Sequence, residues 1–289
     1  MLSSPTNGRV SWPRVTDGNA SLLDELVAQG VERREARWLI EEFGSGPGID
    51  ARTALERAVT RRLAGEPLQY VIGHWPFRGL DLDVDPRVLI PRPETEGLVD
   101  VALGELARLD VAAPVILDLG CGSGAIGLSL LAELIDRGVR GTLICVDESV
   151  DALAVARHNA LKHSLRTVSF VESSWFTALD PSLRGRIDLI VANPPYVGRG
   201  EFAKLDPVLS FEPAGALVSD DARGVVGFAD LEFIITQASQ WLTSTGTLIC
   251  EHGANHRTPA LSSAADALFT SIEDVDDLAG LPRVLVARR

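Results

Sequence analysis

The residues with most to say about chemistry are Asn193, Pro194, Pro195 and Tyr196, which follow the apolar run 187–193. The Asn193 side-chain carbonyl, with the backbone carbonyl of Pro194, can accept both hydrogens of a planar –NH2 group, and proline brings no N–H to compete. Fixed in this way, such a nitrogen can attack a methyl sulfonium in line while positive charge builds on it. Tyr196 can cover the planar group by stacking. The two prolines would be costly inside a ladder, so they mark a stiff loop at the carboxyl edge of a sheet, where α/β folds bind ligands.

A second constellation lies earlier. In VILDLGCGSGAIG, Gly120, Gly122 and Gly124 fall between an apolar run and a helical stretch. Glycines there let the backbone approach a ligand, and the helix start offers unpaired N–H groups. Roughly 20 residues on, a second apolar run ends in Asp147, the place where an acid grips ribose hydroxyls. A dinucleotide fingerprint has a similar layout, so NAD stays open on these features alone. Asp118, just before the glycines, favours S-adenosylmethionine, because a carboxylate would repel a pyrophosphate but can orient the loop or an ammonium-bearing tail.

The other side chains offer less. His74, His158, His163, His252 and His256 show no metal-like spacing with cysteine, and no metal is expected. His252-x3-His256 straddles a strand end and reads as packing. No general-base triad appears, and methylating an exocyclic or amide nitrogen needs positioning more than proton abstraction.

The elements that must hold these groups can be read from periodicity. Apolar strands are predicted at 115–120, 142–147, 168–173, 187–193, 247–252 and 283–289, with helices near 125–137, 149–163, 229–242 and 258–268. Near-continuous apolar strands alternating with helices mean a parallel sheet covered on both faces, a doubly wound α/β domain. Ahead of it, 21–65 is helical in pattern, with Asp50 as N-cap and Gly65 as C-cap of a third helix. The stretch 66–93 reads as a hairpin and rigid linker, and a helix opens near Pro93 with Glu94 and Glu96 in its first turn. Residues 1–18 read as a flexible tail.

Composition sets the outer bounds. Forty Asp+Glu against 27 Lys+Arg give the 289 residues a net charge of −13, a poor balance for holding nucleic acid through its phosphates. Three cysteines, Cys121, Cys145 and Cys250, all lie in interior-like runs and fit a reduced compartment. With no apolar run of about 18 residues and no signal-like start, the chain is expected to be cytoplasmic and free of membranes. Arg33, Arg34, Arg37, Arg52, Arg57, Arg61 and Arg62 gather in the helical N-terminal part. They read equally as a recognition surface and as a solvated face.

These motifs together make the chain resemble the HemK/PrmC family, the protein-(glutamine-N5) methyltransferases of peptide-chain release factors. The resemblance runs from about residue 20 onward through GEPLQYVIG, LIPRPETE, ILDLGCGSGAIG, VDESVDALAVARHNA, ANPPYV, FEPAGAL and EHG. It implies a class I (Rossmann-like) S-adenosylmethionine-dependent methyltransferase fold with a seven-stranded, mostly parallel sheet whose last strand is antiparallel. A small helical N-terminal domain would join it through a β-hairpin linker. The boundaries drawn are a tail at 1–18, a substrate-recognition domain at 19–68, a hairpin and linker at 69–93, and the methyltransferase domain at 94–289.

The resemblance further implies that Gly120, Cys121, Gly122, Ser123, Gly124 and Asp147, with Asp118 and Asn193, hold S-adenosylmethionine, and that Trp175 borders its adenine. Asn193 to Tyr196 would hold the substrate glutamine, and Arg92, Glu94 and Glu212 would be scaffold. Ser174 stands where family members often carry an acid. The implied partner is a release factor met as a protein, with no direct nucleic-acid contact, by a monomer. S-adenosylhomocysteine would be the second product. A methyltransferase of a ribosomal protein and one of nucleic-acid exocyclic amines stay open as alternatives.

Overall fold

The computed structural model describes residues 17–44, 49–202 and 204–289. The chain divides into two compact units, one reaching to His74 and one running from Trp75 to Arg289. The tail expected over 1–18 lies outside the described residues except for Asp17 and Gly18, which already belong to a helix.

The first unit holds α1 (Asp17–Ala28), α2 (Arg33–Phe43), α3 (Ile49–Leu63) and α4 (Leu68–Ile72). Leu26, Ala36, Leu39, Ile40, Leu55, Val59 and Val71 form its core, at spacings that put them on the inner helix faces. Asp50 sits inside the first turn of α3 and is not its N-cap, so its charge acts on the helix dipole instead. Gly65, with its N–H on the Arg62 carbonyl, follows the end of α3. The segment 68–72, expected in an extended hairpin, is the helix α4, because the N–H groups of Tyr70 and Val71 close on the Pro67 carbonyl. Four of the seven arginines are neutralised locally: Arg33 pairs with Asp24, Arg52 with Glu56, Arg61 with Glu66 and Arg62 with Glu35.

Next, β1 (His74–Phe77) and β2 (Leu80–Asp83) form a two-stranded ribbon. The second unit then alternates α5 (Thr95–Leu109), β3 (Val115–Leu119), α6 (Ala125–Asp136), β4 (Thr142–Asp147), α7 (Val150–Lys162), β5 (Val168–Glu172) and β6 (Ile187–Ala192). It continues with β7 (Val197–Gly198), α8 (Arg199–Phe202), β8 (Val218–Ser219), α9 (Ala229–Ala238), β9 (Leu242–Glu251), α10 (Arg257–Asp266), β10 (Ser271–Asp276) and β11 (Pro282–Arg288). The helix expected to open at Pro93 begins two residues later, with Glu94 at its cap position.

Seven strands make the sheet in the order β10-β11-β9-β6-β3-β4-β5, and β11 runs antiparallel to both its neighbours. This is the class I methyltransferase fold that the sequence led one to expect. Strand alternation divides the core: Ile116, Leu143, Leu189 and Val191 pack with α5, α6 and α7, while Leu117, Leu119, Ile190 and Ala192 pack with α9 and α10. β3 lies between β4 and β6, so the connections leave its two sides in opposite directions. That reversal opens a crevice at the carboxyl ends of β3 and β6.

Candidate active site

Sheet register places the main groups at one level. Leu119 pairs with both Val146 and Ala192, and Ala192 pairs with Cys250. Gly120, Asp147, Asn193 and Glu251 therefore emerge side by side along the carboxyl edge. A cavity of about 600 Å³ opens there, lined by Gly120, Gly122, Asp147, Trp175, Asn193 and Pro195 among the predicted residues. Its volume falls in the range of roughly 300–1,000 Å³ common for sites that enclose a small organic ligand.

Gly120 is required by its surroundings. Its φ is +68°, and an added Cβ would stand 3.3 Å from Cζ3 of the Trp175 ring. Trp175 is itself held at φ 50°, a costly conformation for a large side chain, and its Nε1 donates to Asp230 at 2.9 Å. Asp147 accepts the Gly122 N–H and the Ser149 N–H, each at 2.9 Å, one on each oxygen. Each oxygen keeps a second lone pair for a hydroxyl. Burial lifts this carboxyl above its ordinary pKa despite those bonds.

Several predicted residues stand behind the cavity wall. Asp118 is fully buried because it shares strand parity with Ile116 and so faces α6, where it accepts the Gly127 N–H at 2.9 Å. It organises the junction between loop and helix, one of the two roles expected of it, and does not line the cavity, as the other, a contact with an ammonium tail, requires. Burial pushes its pKa up to about 7. Cys121 turns inward into the core, its Sγ donating to the Gly122 carbonyl at 4.0 Å. The Ser123 carbonyl accepts from Asn159 at 2.9 Å, and Gly124 is the cap of α6. Asn159 also exchanges hydrogen bonds with the Asp83 backbone, at 2.8 and 3.1 Å, and so ties the glycine turn to β2.

Asn193 and Pro195 face the cavity whereas Pro194 and Tyr196 do not, the alternation of an extended backbone. Tyr196 is half-buried, and burial together with the nearby Glu251 raises its pKa. Its expected stacking on a planar ligand is therefore not prepared in this geometry. The strap is clamped from outside: at Gly227, φ +67°, an added Cβ would stand 2.3 Å from the Tyr196 carbonyl oxygen. His256 braces that loop, its Nε2 bonding the Val226 carbonyl at 2.8 Å. Glu212 is buried and accepts from the Ile90 N–H and from Arg92, the scaffold role foreseen for it. His252 is buried against Asp274 at 2.7 Å, and the three cysteines are buried and free.

Other residues at the cavity were not foreseen. Glu148 follows Asp147 into the lining, Asp230 comes from the start of α9, and Arg199 and Phe202 come from α8. Thr95, which opens α5, receives a hydrogen bond from Asn193 Nδ2 at 3.3 Å. The only sequence signal for these partners was their position inside motifs, such as Thr95 in LIPRPETE.

Residues 102–205 match the family model described as the methyltransferase small domain. The release factor glutamine methyltransferase of Burkholderia pseudomallei is 39% identical over 273 residues, covering 91% of this chain and 92% of its own. That of Salmonella typhimurium is 38% identical, covering 92% and 90%. Among solved structures, the hMettl16 catalytic domain has a TM-score of 0.55 at 13% identity, covering 92% of this chain and 91% of its own. The T. thermophilus 16S rRNA methyltransferase RsmC, solved with AdoMet and guanosine, has a TM-score of 0.53 at 17% identity, covering 75% and 49%. At such identities the structural likeness speaks for the fold alone. The similarity to the two bacterial enzymes spans nine-tenths or more of this chain and of theirs, and by it this chain belongs to the release factor glutamine methyltransferase family.

Proposed function

We propose that this chain transfers a methyl group from S-adenosylmethionine to the side-chain amide nitrogen of the glutamine in the Gly-Gly-Gln loop of a peptide chain release factor. The observation that carries the reading is the placement of Asn193 at the crevice, level with Gly120 and Asp147, with its NH2 already engaged by Thr95. Its carbonyl oxygen is thereby left to accept from a planar NH2 group.

The cavity's residues fit the cofactor. Asp147 has lone pairs for two ribose hydroxyls, Gly120 and Gly122 admit a close backbone approach, and Trp175 offers a ring face for adenine. When bound, the cofactor supplies a sulfonium methyl group open to in-line attack. Asn193 Oδ1 and the Pro194 carbonyl accept the two amide hydrogens and hold the nitrogen's lone pair toward that carbon. The nitrogen forms its bond to carbon as the carbon–sulfur bond breaks, which leaves S-adenosylhomocysteine. Both acceptors favour the positive charge developing on nitrogen, and the proton departs to water, so no general base is needed.

In this reading the helical domain, 19–68, recognises the release factor as a protein, and the chain works as a cytoplasmic monomer without binding nucleic acid or membrane. The local neutralisation of four of its arginines supports a protein rather than a phosphate partner. Incubation with a purified release factor and labelled S-adenosylmethionine, alongside a factor whose loop glutamine is alanine, tests the proposal. Label on the first and none on the second is expected; equal labelling overturns it.

A further inference from the structure

We propose that Asp230 is a positioning residue for Trp175, its carboxylate holding the indole N–H and so fixing the ring in the part of the cavity wall that borders the cofactor's adenine. The inference rests on the cofactor reading above and needs no particular methyl acceptor. It joins two elements distant along the chain: Trp175 lies three residues beyond the end of β5, and Asp230 stands in the first turn of α9.

Both residues line the cavity. Trp175 Nε1 donates to Asp230 Oδ1 at 2.9 Å, and the sense of this bond is unambiguous, because the indole nitrogen is a donor only. The far end of the ring is bounded by Gly120, whose added Cβ would stand 3.3 Å from Cζ3 and 3.5 Å from Cη2. A flat group with a stop at one end and a hydrogen bond at the other has lost its freedom to swing about the bond that carries it. The backbone beneath is held too: the Ser173 N–H donates to the Asp147 carbonyl at 3.0 Å, which ties this segment to the strand end that carries the ribose acid.

Strain marks the same place. Trp175 has φ 50°, a conformation costly for so large a side chain and kept only where the surroundings over-determine it. The bond to Asp230 is one such determinant, and it is itself braced: the Asp230 N–H donates to Ser219 Oγ at 3.2 Å, and Ser219 is buried. Ser219 pairs with Gly198, two residues past Tyr196, so the brace runs back to the strap that carries Asn193. An acid in the first turn of a helix also complements the dipole. That role alone does not call for a place in the cavity wall with the carboxylate on an indole N–H.

The test measures S-adenosylmethionine affinity by calorimetry, and KM and kcat with a purified release factor, in the wild type, Asp230→Ala, Asp230→Asn, Trp175→Phe and the double variant Asp230→Ala with Trp175→Phe. Asp230→Ala is expected to lose about 10-fold in cofactor affinity, with KM for S-adenosylmethionine rising as much and kcat at saturating cofactor within about 3-fold of wild type. Asp230→Asn keeps an acceptor oxygen and is expected within about 3-fold of wild-type affinity. Trp175→Phe keeps a ring and removes the N–H, so in that background Asp230→Ala is expected to change the affinity by less than about 2-fold. Wild-type affinity in Asp230→Ala overturns the proposal, because the acid would then serve the helix alone, and so does Asp230→Asn falling as far as Asp230→Ala. A loss that persists undiminished in the Trp175→Phe background overturns it as well, since Asp230 would then meet the cofactor directly. If Asp230→Ala fails to fold, Asp230→Ser, a residue suited to a helix start, takes its place with the same outcomes. A wild type without affinity for S-adenosylmethionine overturns the cofactor reading and the proposal together, whereas a wild type that binds it beside an unaffected Asp230→Ala overturns the proposal alone. The calorimetric arms need no release factor and decide the proposal even where the methyl acceptor is another.

Discussion

Asn193 carries the chemistry in one side chain, and its replacement should separate binding from transfer. Asn193→Ala is expected to lower methyl transfer by about 100-fold or more, because the acceptor aimed at the developing charge is gone. Cofactor affinity, read by calorimetry, should stay within about 3-fold, since Asp147, Gly120 and Trp175 are untouched. Gly120→Ala should do the opposite. Its Cβ would press on Trp175 at 3.3 Å from a backbone at φ +68°, and cofactor affinity is expected to fall by about 10-fold. Both residues were legible in the sequence because their meaning is local: a polar residue before two prolines, and glycines after an apolar strand. Thr95 and Asp230 were not, because each acts through a partner far away along the chain. Asp118 was legible only in part, for a related reason. Its neighbours in sequence point to the glycine turn, but strand parity sends its side chain to α6.

At the scale of elements, the buried strands β3, β4 and β6 were readable because both their faces are covered and their sequences are almost wholly apolar. β10, Ser271–Asp276, went unread because it is an edge strand carrying the acids Glu273, Asp274 and Asp276, and only its pairing with β11 makes it a strand. The helix expected at 229–242 stops at Ala238, and β9 begins at Leu242, earlier than its apolar half suggests. The residues Thr243 to Gly246 look like a turn, yet Ile187 pairs with Leu242 just before them and the Arg289 N–H bonds the Gly246 carbonyl, which extends the strand. The loop that clamps the NPPY strap offers a test at this scale. Gly227→Ala would force its new methyl against the Tyr196 carbonyl, and the strap must yield. Methyl transfer is expected to fall by about 10-fold or more through displacement of Asn193, while the far-ultraviolet circular dichroism of the sheet persists.

The molecule as a whole should show an acid-shifted stability profile, because its buried carboxyls divide into two groups. Glu105, buried between Arg288 and Arg108, has its pKa lowered to about 2, so its ionised form stabilises the native state and that contribution is lost as pH falls from about 4.5 toward 2. Asp118 moves the other way. With its native pKa near 7, the folded chain keeps a proton that the unfolded chain has released from about pH 4 upward, so stability falls as pH rises until about 7 and then levels. Thermal midpoints are expected to be higher at pH 5 than at pH 8, and Asp118→Asn is expected to flatten that decline. An unchanged slope in the variant would assign the decline to other groups, such as Asp147 and Glu251, whose pKa values burial also raises. One further property follows from the three cysteines, all buried, with thiol pKa values raised above the ordinary range. Native thiolates will scarcely exist at neutral pH, and the folded protein should be silent to maleimides. A single cysteine at Gly200, where an added Cβ meets open space beside the cavity-lining Phe202, would then take a fluorophore alone and turn the enzyme into an optical reporter of substrate arrival.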